Sequence, residues 1–223
     1  MAGGDSVGAM SRAEHVAAFL SAAEAAHRLA ASPEVRDAWA SESACAGMSV
    51  GGLAHHLLKQ AGNTARALHE HPNDVEPIPM LEHYARAAWV RESQAGRTDP
   101  DQDEKDNAAA SAGPDAVLEE GRATLAELPS LLAADRDPDT VFIPWQGWSL
   151  TTPDFLTTRM MEIVVHSDDL AASVGVPAPQ FGEAVTAPVF GLLTGVAVRR
   201  HGQDALVRAL SRPQRAPATI SAF

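Results

Sequence analysis

Arg159, Glu162, His166 and Asp169 follow one another at intervals of three, four and three residues, a spacing that gathers side chains on one face of a helix. At about 100° per residue they fall within an arc of about 80°. Leu156, Ile163 and Leu170 border this stripe on one side, and Met161 and Val165 on the other. The opposite face mixes Met160, Val164, Thr157 and Asp168. A charged helical stripe ordinarily faces water, but one walled on both flanks by large apolar residues reads equally well as a pocket lining. Glu162 and His166 lie one turn apart and can share a metal ion. Such a pair is common on surface helices, so the chemistry needs a third donor.

A second helix, predicted to start at Ser49 and run towards His71 before Pro72, offers His55 and His56. Its apolar stripe (Val50, Leu53, Ala54, Leu57, Ala61, Leu68) puts His56 at the stripe's edge, about 100° from its centre, and turns His55 almost directly away. Alone, His56 reads most simply as a core-edge imidazole bonded to a carbonyl. Gln60 and Asn63 share its side and could touch a ligand or bond to the next helix. Two imidazoles and a carboxylate form a zinc set that leaves a position for water or substrate. Nickel or iron suit the same donors, because affinity alone does not select the metal. Asp169 could orient a ligand imidazole through its second nitrogen, or pair with Arg159 or a solvent-facing cation.

Competing sites are weaker. Glu24-x-x-His27 has a di-iron spacing but lacks the second copy such centres need. His69 and His71, two apart at a helix end, suit its dipole. Cys45 reads as a small filler.

These residues need helices to position them. Ser11 is an N-cap candidate for a helix reaching towards Pro33, and Met80 to Gln94 reads as another. Residues 97–114, acidic and broken by Pro and Gly, read as an exposed loop without assignable chemistry. Helices follow over Pro114–Ala133, Thr152–Val174, Glu183–His201 and Asp204–Leu210. Val141–Leu150, with two of the four tryptophans, reads as an extended, buried connection. The expectation is a single domain over 1–223, with a loose start over about 1–10 and a helical extension over about 176–223.

Bulk properties agree. The 223 residues are 45% hydrophobic, 21% charged and only 5% aromatic, and alanine is abundant, which favours helix over strand. A net charge of -12 and the lack of a basic patch argue against nucleic acid. One cysteine excludes an internal disulfide and suits a reducing cytoplasm. The start, MAGGDSVGAMSRAEH, lacks the basic-then-apolar order of a secretory signal, and no apolar run approaches the ~20 residues that span a bilayer. The expectation is a soluble cytoplasmic protein without membrane partners.

Ser49-Val50-x-x-Leu53-x-x-His56, followed by Arg159-x-x-Glu162-x-x-x-His166-x-x-Asp169, resembles the DinB-like superfamily. Within it, the sequence is most similar to the mycothiol-dependent maleylpyruvate isomerase N-terminal domain and mycothiol S-transferase branch. Pro144-Trp145-x-Gly147 and the ending Arg215-Ala216-Pro217…Ala222-Phe223 look typical of that branch, and the resemblance spans nearly the whole chain. It implies an all-α, DinB-like four-helix bundle with an extended crossing segment and additional C-terminal helices. It also implies zinc on His56, Glu162 and His166, and mycothiol as thiol co-substrate. Gln60, Asn63 and Trp145 would then border the cofactor, Asp169 would orient an imidazole, and Arg159 would steer an anionic group. The implied activity is zinc-dependent transfer of the thiol to an electrophilic small molecule. Alternatives are thiol-dependent isomerisation of a maleylpyruvate-like substrate, a zinc hydrolase or lyase using bound water, and a non-catalytic metal- or ligand-binding bundle. Met48 stands where an aromatic is common, Gly52 where an acidic residue often sits, and Asp168 where an aromatic usually precedes Asp169. The region after Gly175 is shorter than the isomerase's second domain. These departures leave the donor set intact and bear on the substrate.

Overall fold

Ser11 opens the first helix, α1 (Arg12–Ala30), with a reciprocal capping box to Glu14 that satisfies backbone donors the helix leaves free. The computed structural model describes residues 10–97 and 99–223, so the expected loose start lies, except for Met10, outside the described residues. A short α2 (Pro33–Asp37) is capped by Ser32. Ser49 then caps α3 (Val50–His69), which stops two residues before the expected His71. The stretch expected to be one helix over Met80–Gln94 is two, α4 (Met80–Arg86) and α5 (Ala88–Gln94), because Ala87 between them is extended.

The larger correction concerns residues 97–114. Asp99 caps α6 (Pro100–Ala110), with Pro100 in its first turn; there the missing N–H costs nothing and the acidic side chains suit the helix dipole. Next come α7 (Pro114–Ala133) and a hairpin of β1 (Thr140–Ile143) and β2 (Trp148–Thr151). Thr151 caps α8 (Thr152–Val174), and Gly175 ends it in the left-handed region at φ 70°, where glycine carries no Cβ penalty. The chain continues through α9 (Glu183–His201) and α10 (Gln203–Ser211).

α1, α3, α7 and α8 form the bundle: α7 and α8 each pack on both α1 and α3, while α6 lies on α3. α9 covers α8 and α1, and α10 packs on α9. Leu156, Ile163 and Leu170 of α8 meet Leu53 and Leu57 of α3, Leu128 and Leu132 of α7 and Phe19 of α1 in one buried core. Full burial of each such side chain stabilises by roughly 1.5–3 kcal/mol. The alanines of α1 (Ala18, Ala22, Ala23, Ala26, Ala30) are buried and let neighbouring helices come close. The architecture is all-α, with one two-stranded sheet among the described residues. No helix among them is long and apolar enough to cross a membrane.

The strands of the hairpin pair antiparallel, Val141 opposite Leu150 and Ile143 opposite Trp148. Val141, Ile143 and Leu150 are buried as expected of this connection, but the turn is not: Gly147, at φ 80°, closes it and leaves Trp145 63% exposed. Ile78 N–H donates to Ser149 O at 2.9 Å, which sets the start of α4 beside β2.

Two glycines let other segments approach the first turn of α3. A Cβ on Gly51 would stand 2.5 Å from the Trp39 ring, and one on Gly52 would stand 2.3 Å from Oδ1 of Asn107. That oxygen accepts from Ser49 N–H at 2.9 Å and from Ser49 Oγ at 3.0 Å, so it cannot retreat without losing both bonds. Alanine would add at most ~1 kcal/mol of helix propensity, against about 1 kcal/mol for each bond lost. Gly52→Ala is therefore expected to lower the calorimetric midpoint by about 2–4 °C. A raised midpoint would show that this contact does not set the spacing of α6 and α3.

Candidate metal centre

His56 projects from α3 and Glu162 and His166 from α8, and one ligand atom of each lies within 4.8 Å of the others. His166 Nε2 is 3.2 Å from Glu162 Oε2, close to the roughly 3.3 Å that separates two donors on a tetrahedral zinc. The two imidazoles meet edge to face, with centroids 4.6 Å apart. The residues present thus fit a divalent metal by donor type and by convergence.

What turns the rings is as informative as the rings themselves. His166 Nδ1 is 3.0 Å from Asp169 Oδ2, one of the partners that the spacing allowed for Asp169. His56 Nδ1 is 2.6 Å from Asp106 Oδ2. With each Nδ1 held by a carboxylate, Nε2 is the nitrogen left to each ring for a metal, the arrangement that fixes tautomer and raises ligand basicity. Asp106 was not legible from the sequence. It sits in the segment read as an exposed loop, yet it is fully buried. Its Oδ1 also meets His55 Nδ1 at 2.7 Å, Lys59 Nζ reaches both oxygens at 2.6 and 2.7 Å, and Gln102 Nε2 donates at 2.8 Å. His55, expected to point away, is therefore half-buried on the same carboxylate. The one available signal was the Asp99-Pro100 helix start, with Gln102, Asp106 and Ala110 following on one face.

Burial opposes every charge here, and hydrogen bonds decide the outcome. Burial raises the Asp106 carboxyl, but the bonds from His55, His56 and Lys59 hold it far below the usual carboxylate range. Burial likewise raises Glu162, but His166 and the positive charge of Arg159 bring it down to about 2. Burial lowers His56, and the bond to Asp106 only partly offsets it. For His166, Asp169, Cys45 and Glu162 outweigh burial and lift it well above 6.5. In the metal-free protein His166 is thus the proton carrier and Glu162 its counter-ion.

The donors open onto a cleft of about 910 Å³ between α3, α8, α6 and the hairpin. Arg159 Nη1 donates to Gln60 Oε1 at 2.8 Å, while Gln60 Nε2 donates to His56 O at 3.0 Å. Gln60 thus positions the guanidinium, which has no carboxylate partner among the described residues. Asn63 lines the cleft but accepts from Arg66 at 2.7 Å. Trp145 stands at the rim. Cys45, expected as filler, lines the wall with its sulfur within 4.8 Å of donor atoms of His166 and Asp169. His27 Nε2 bonds to Leu118 O at 3.0 Å, and His69 lies 3.5 Å from Glu127; both are accounted for structurally.

Asp106→Asn would leave Lys59 and two imidazoles facing an amide that cannot accept from all of them. The expected loss is about 3 kcal/mol of stability, the scale for breaking a buried charged pair, and roughly 10–100-fold in metal affinity. The sign with pH follows from the depressed carboxyl. Its stabilisation is present above the ordinary carboxylate range and is lost as pH falls towards the depressed value. Urea unfolding from pH 7 down to pH 2 should therefore show a flatter acid limb in the variant; parallel curves would refute the role.

The model of the mycothiol maleylpyruvate isomerase N-terminal domain matches residues 14–171, a span running from α1 through most of α8 that includes His56, Glu162, His166, Asp106 and Asp169. No curated protein and no solved structure matches. With that match over most of its length and its all-α DinB-like bundle, the chain belongs to the mycothiol maleylpyruvate isomerase N-terminal domain family.

Proposed function

We propose that the protein is a zinc-dependent transferase that joins a low-molecular-weight thiol, mycothiol, to an electrophilic small molecule within one domain. The observation that carries this reading is the orientation of both imidazoles beside Glu162, His56 by the buried Asp106 and His166 by the partly exposed Asp169, with a cleft large enough for thiol and acceptor. Three protein donors with an open position are the pattern of catalytic rather than structural zinc. A zinc ion held by His56, Glu162 and His166 would supply the acidity that deprotonates a bound thiol near neutral pH. Arg159, fixed by Gln60 and free of carboxylates among the described residues, would hold an anionic group of either substrate. Trp145 and Asn63 would border the thiol's polar body. The family description names an isomerase, and the same cleft serves that reaction where the thiol adds and then leaves.

Elemental mass spectrometry on protein purified without chelator should find near-stoichiometric zinc, and Glu162→Ala should lose the metal together with thiol-dependent conjugation. Full metal with retained turnover in that variant would sink the assignment. Turnover of the electrophile that ignores added mycothiol would instead favour water as nucleophile. Because His166 is protonated in the metal-free protein, zinc must displace that proton, and affinity should rise with pH up to the raised pKa. Calorimetry in buffers of different ionisation enthalpy should find about one proton released per zinc at neutral pH. No release would mean that His166 is not a ligand.

A further inference from the structure

His83 is 4% exposed and is not among the residues that the motif singles out. It sits on α4, which the backbone bond from Ile78 to Ser149 fixes beside β2. There the Trp148 Nε1 is 3.1 Å from His83 Nδ1. An indole N–H can only donate, so Nδ1 must be the accepting nitrogen and the ring's proton must sit on Nε2. The protonated, cationic ring is excluded by the same bond, since both of its nitrogens would be donors. Tyr84 stacks edge to face on the imidazole at 5.0 Å and Trp148 at 5.9 Å, so the ring is clamped as well as tautomerically fixed. Burial, reinforced by Arg159 and opposed by Glu162, pushes its pKa down to about 4, in agreement with a neutral ring. The Nε2–H has no partner among the described residues, yet it is not sealed from solvent, and the ring lines the same cleft as Glu162 and Arg159.

A neutral donor with nothing to donate to, set in the wall of a cleft, is built for an oxygen that arrives with a ligand. We propose that His83 donates its Nε2–H to the carbonyl oxygen of an α,β-unsaturated carbonyl substrate, as a catalytic hydrogen-bond donor that works beside Arg159. The inference rests on the thiol-transfer reading of this cleft. When a thiolate adds to such a substrate, a carbon–sulfur bond forms at the β-carbon and the displaced π electrons come to rest on the carbonyl oxygen as an enolate. The hydrogen bond from Nε2 strengthens as that charge grows, without proton transfer from the imidazole, and a proton from water, replacing the one the thiol gave up to solvent, is taken up at the α-carbon and restores the carbonyl. Preorganised donors aimed at developing charge act most strongly where water is excluded. A substrate that instead loses a halide develops no such oxygen charge, so His83 also favours conjugate acceptors over halides.

Two substitutions separate the two nitrogens. Asparagine can still accept from Trp148 but has no group at the Nε2 position, whereas glutamine restores a donor there. With zinc content matched to the native protein, His83→Asn should slow mycothiol addition to the enone benzylideneacetone about 100-fold more than chloride displacement from monochlorobimane, and His83→Gln should recover most of the enone rate. Long-range proton–nitrogen correlation spectra of the full chain at neutral pH should show the Nε2–H tautomer. An Nδ1–H tautomer, or equal losses on both electrophiles, would overturn the proposal. Native protein that turns over neither electrophile with mycothiol would sink the transferase reading itself, and this role with it.

Discussion

The site is organised by one buried anion. Asp106 has no exposed surface, and it gathers His55, His56, Lys59 and Gln102 around its two oxygens. A lone carboxylate so placed would be protonated or expelled, and its four partners make the charge tolerable. The dependence is mutual. Without the carboxylate, His56 could turn either nitrogen to the cleft, and α6 would keep polar contact with α3 only at the Ser49 cap. The Asn107 bonds to Ser49 and the bare backbone of Gly52 then determine how closely the two helices sit.

The two imidazoles are oriented by the same chemistry reached along different routes, and this explains which parts of the site were legible in the sequence. Asp169 lies three residues from His166 on one helix, so helical geometry alone brings them together. Arg159, Glu162 and His166 were legible for the same reason. Asp106 lies fifty residues from His56, in a stretch whose composition matches solvated loops. Three of its acidic neighbours, Asp99, Asp101 and Asp103, are indeed exposed or nearly so, and they hide the one that is buried. Periodicity registers an apolar face, but it does not register a polar residue whose partners come from another helix. The place of His83 was illegible in the same way, since its ring is fixed by an indole from the hairpin.

The fold followed local signals more closely. Ser11, Ser49 and Thr151 cap their helices, and Gly175 ends α8, because capping is decided within four residues. The break at Ala87 carries no such mark; alanine favours helix, so tertiary packing of α4 on α8 and α9 overrides propensity there. Val141–Leu150 was expected to be an extended, buried connection; its strands are extended with Val141, Ile143 and Leu150 buried, and its turn is neither extended nor buried.

That turn divides the protein's labour in a way that matters for its descent. The candidate metal donors stand on α3 and α8, whose other faces are locked into the core. Trp145, at the tip of a four-residue turn on the rim, packs under no such constraint. Lengthening that turn or replacing its indole would reshape the mouth of the cleft while the donors stay registered to the bundle. Such an arrangement lets a lineage trade one small-molecule ligand for another through neutral steps at the rim, each leaving the donor geometry intact behind it.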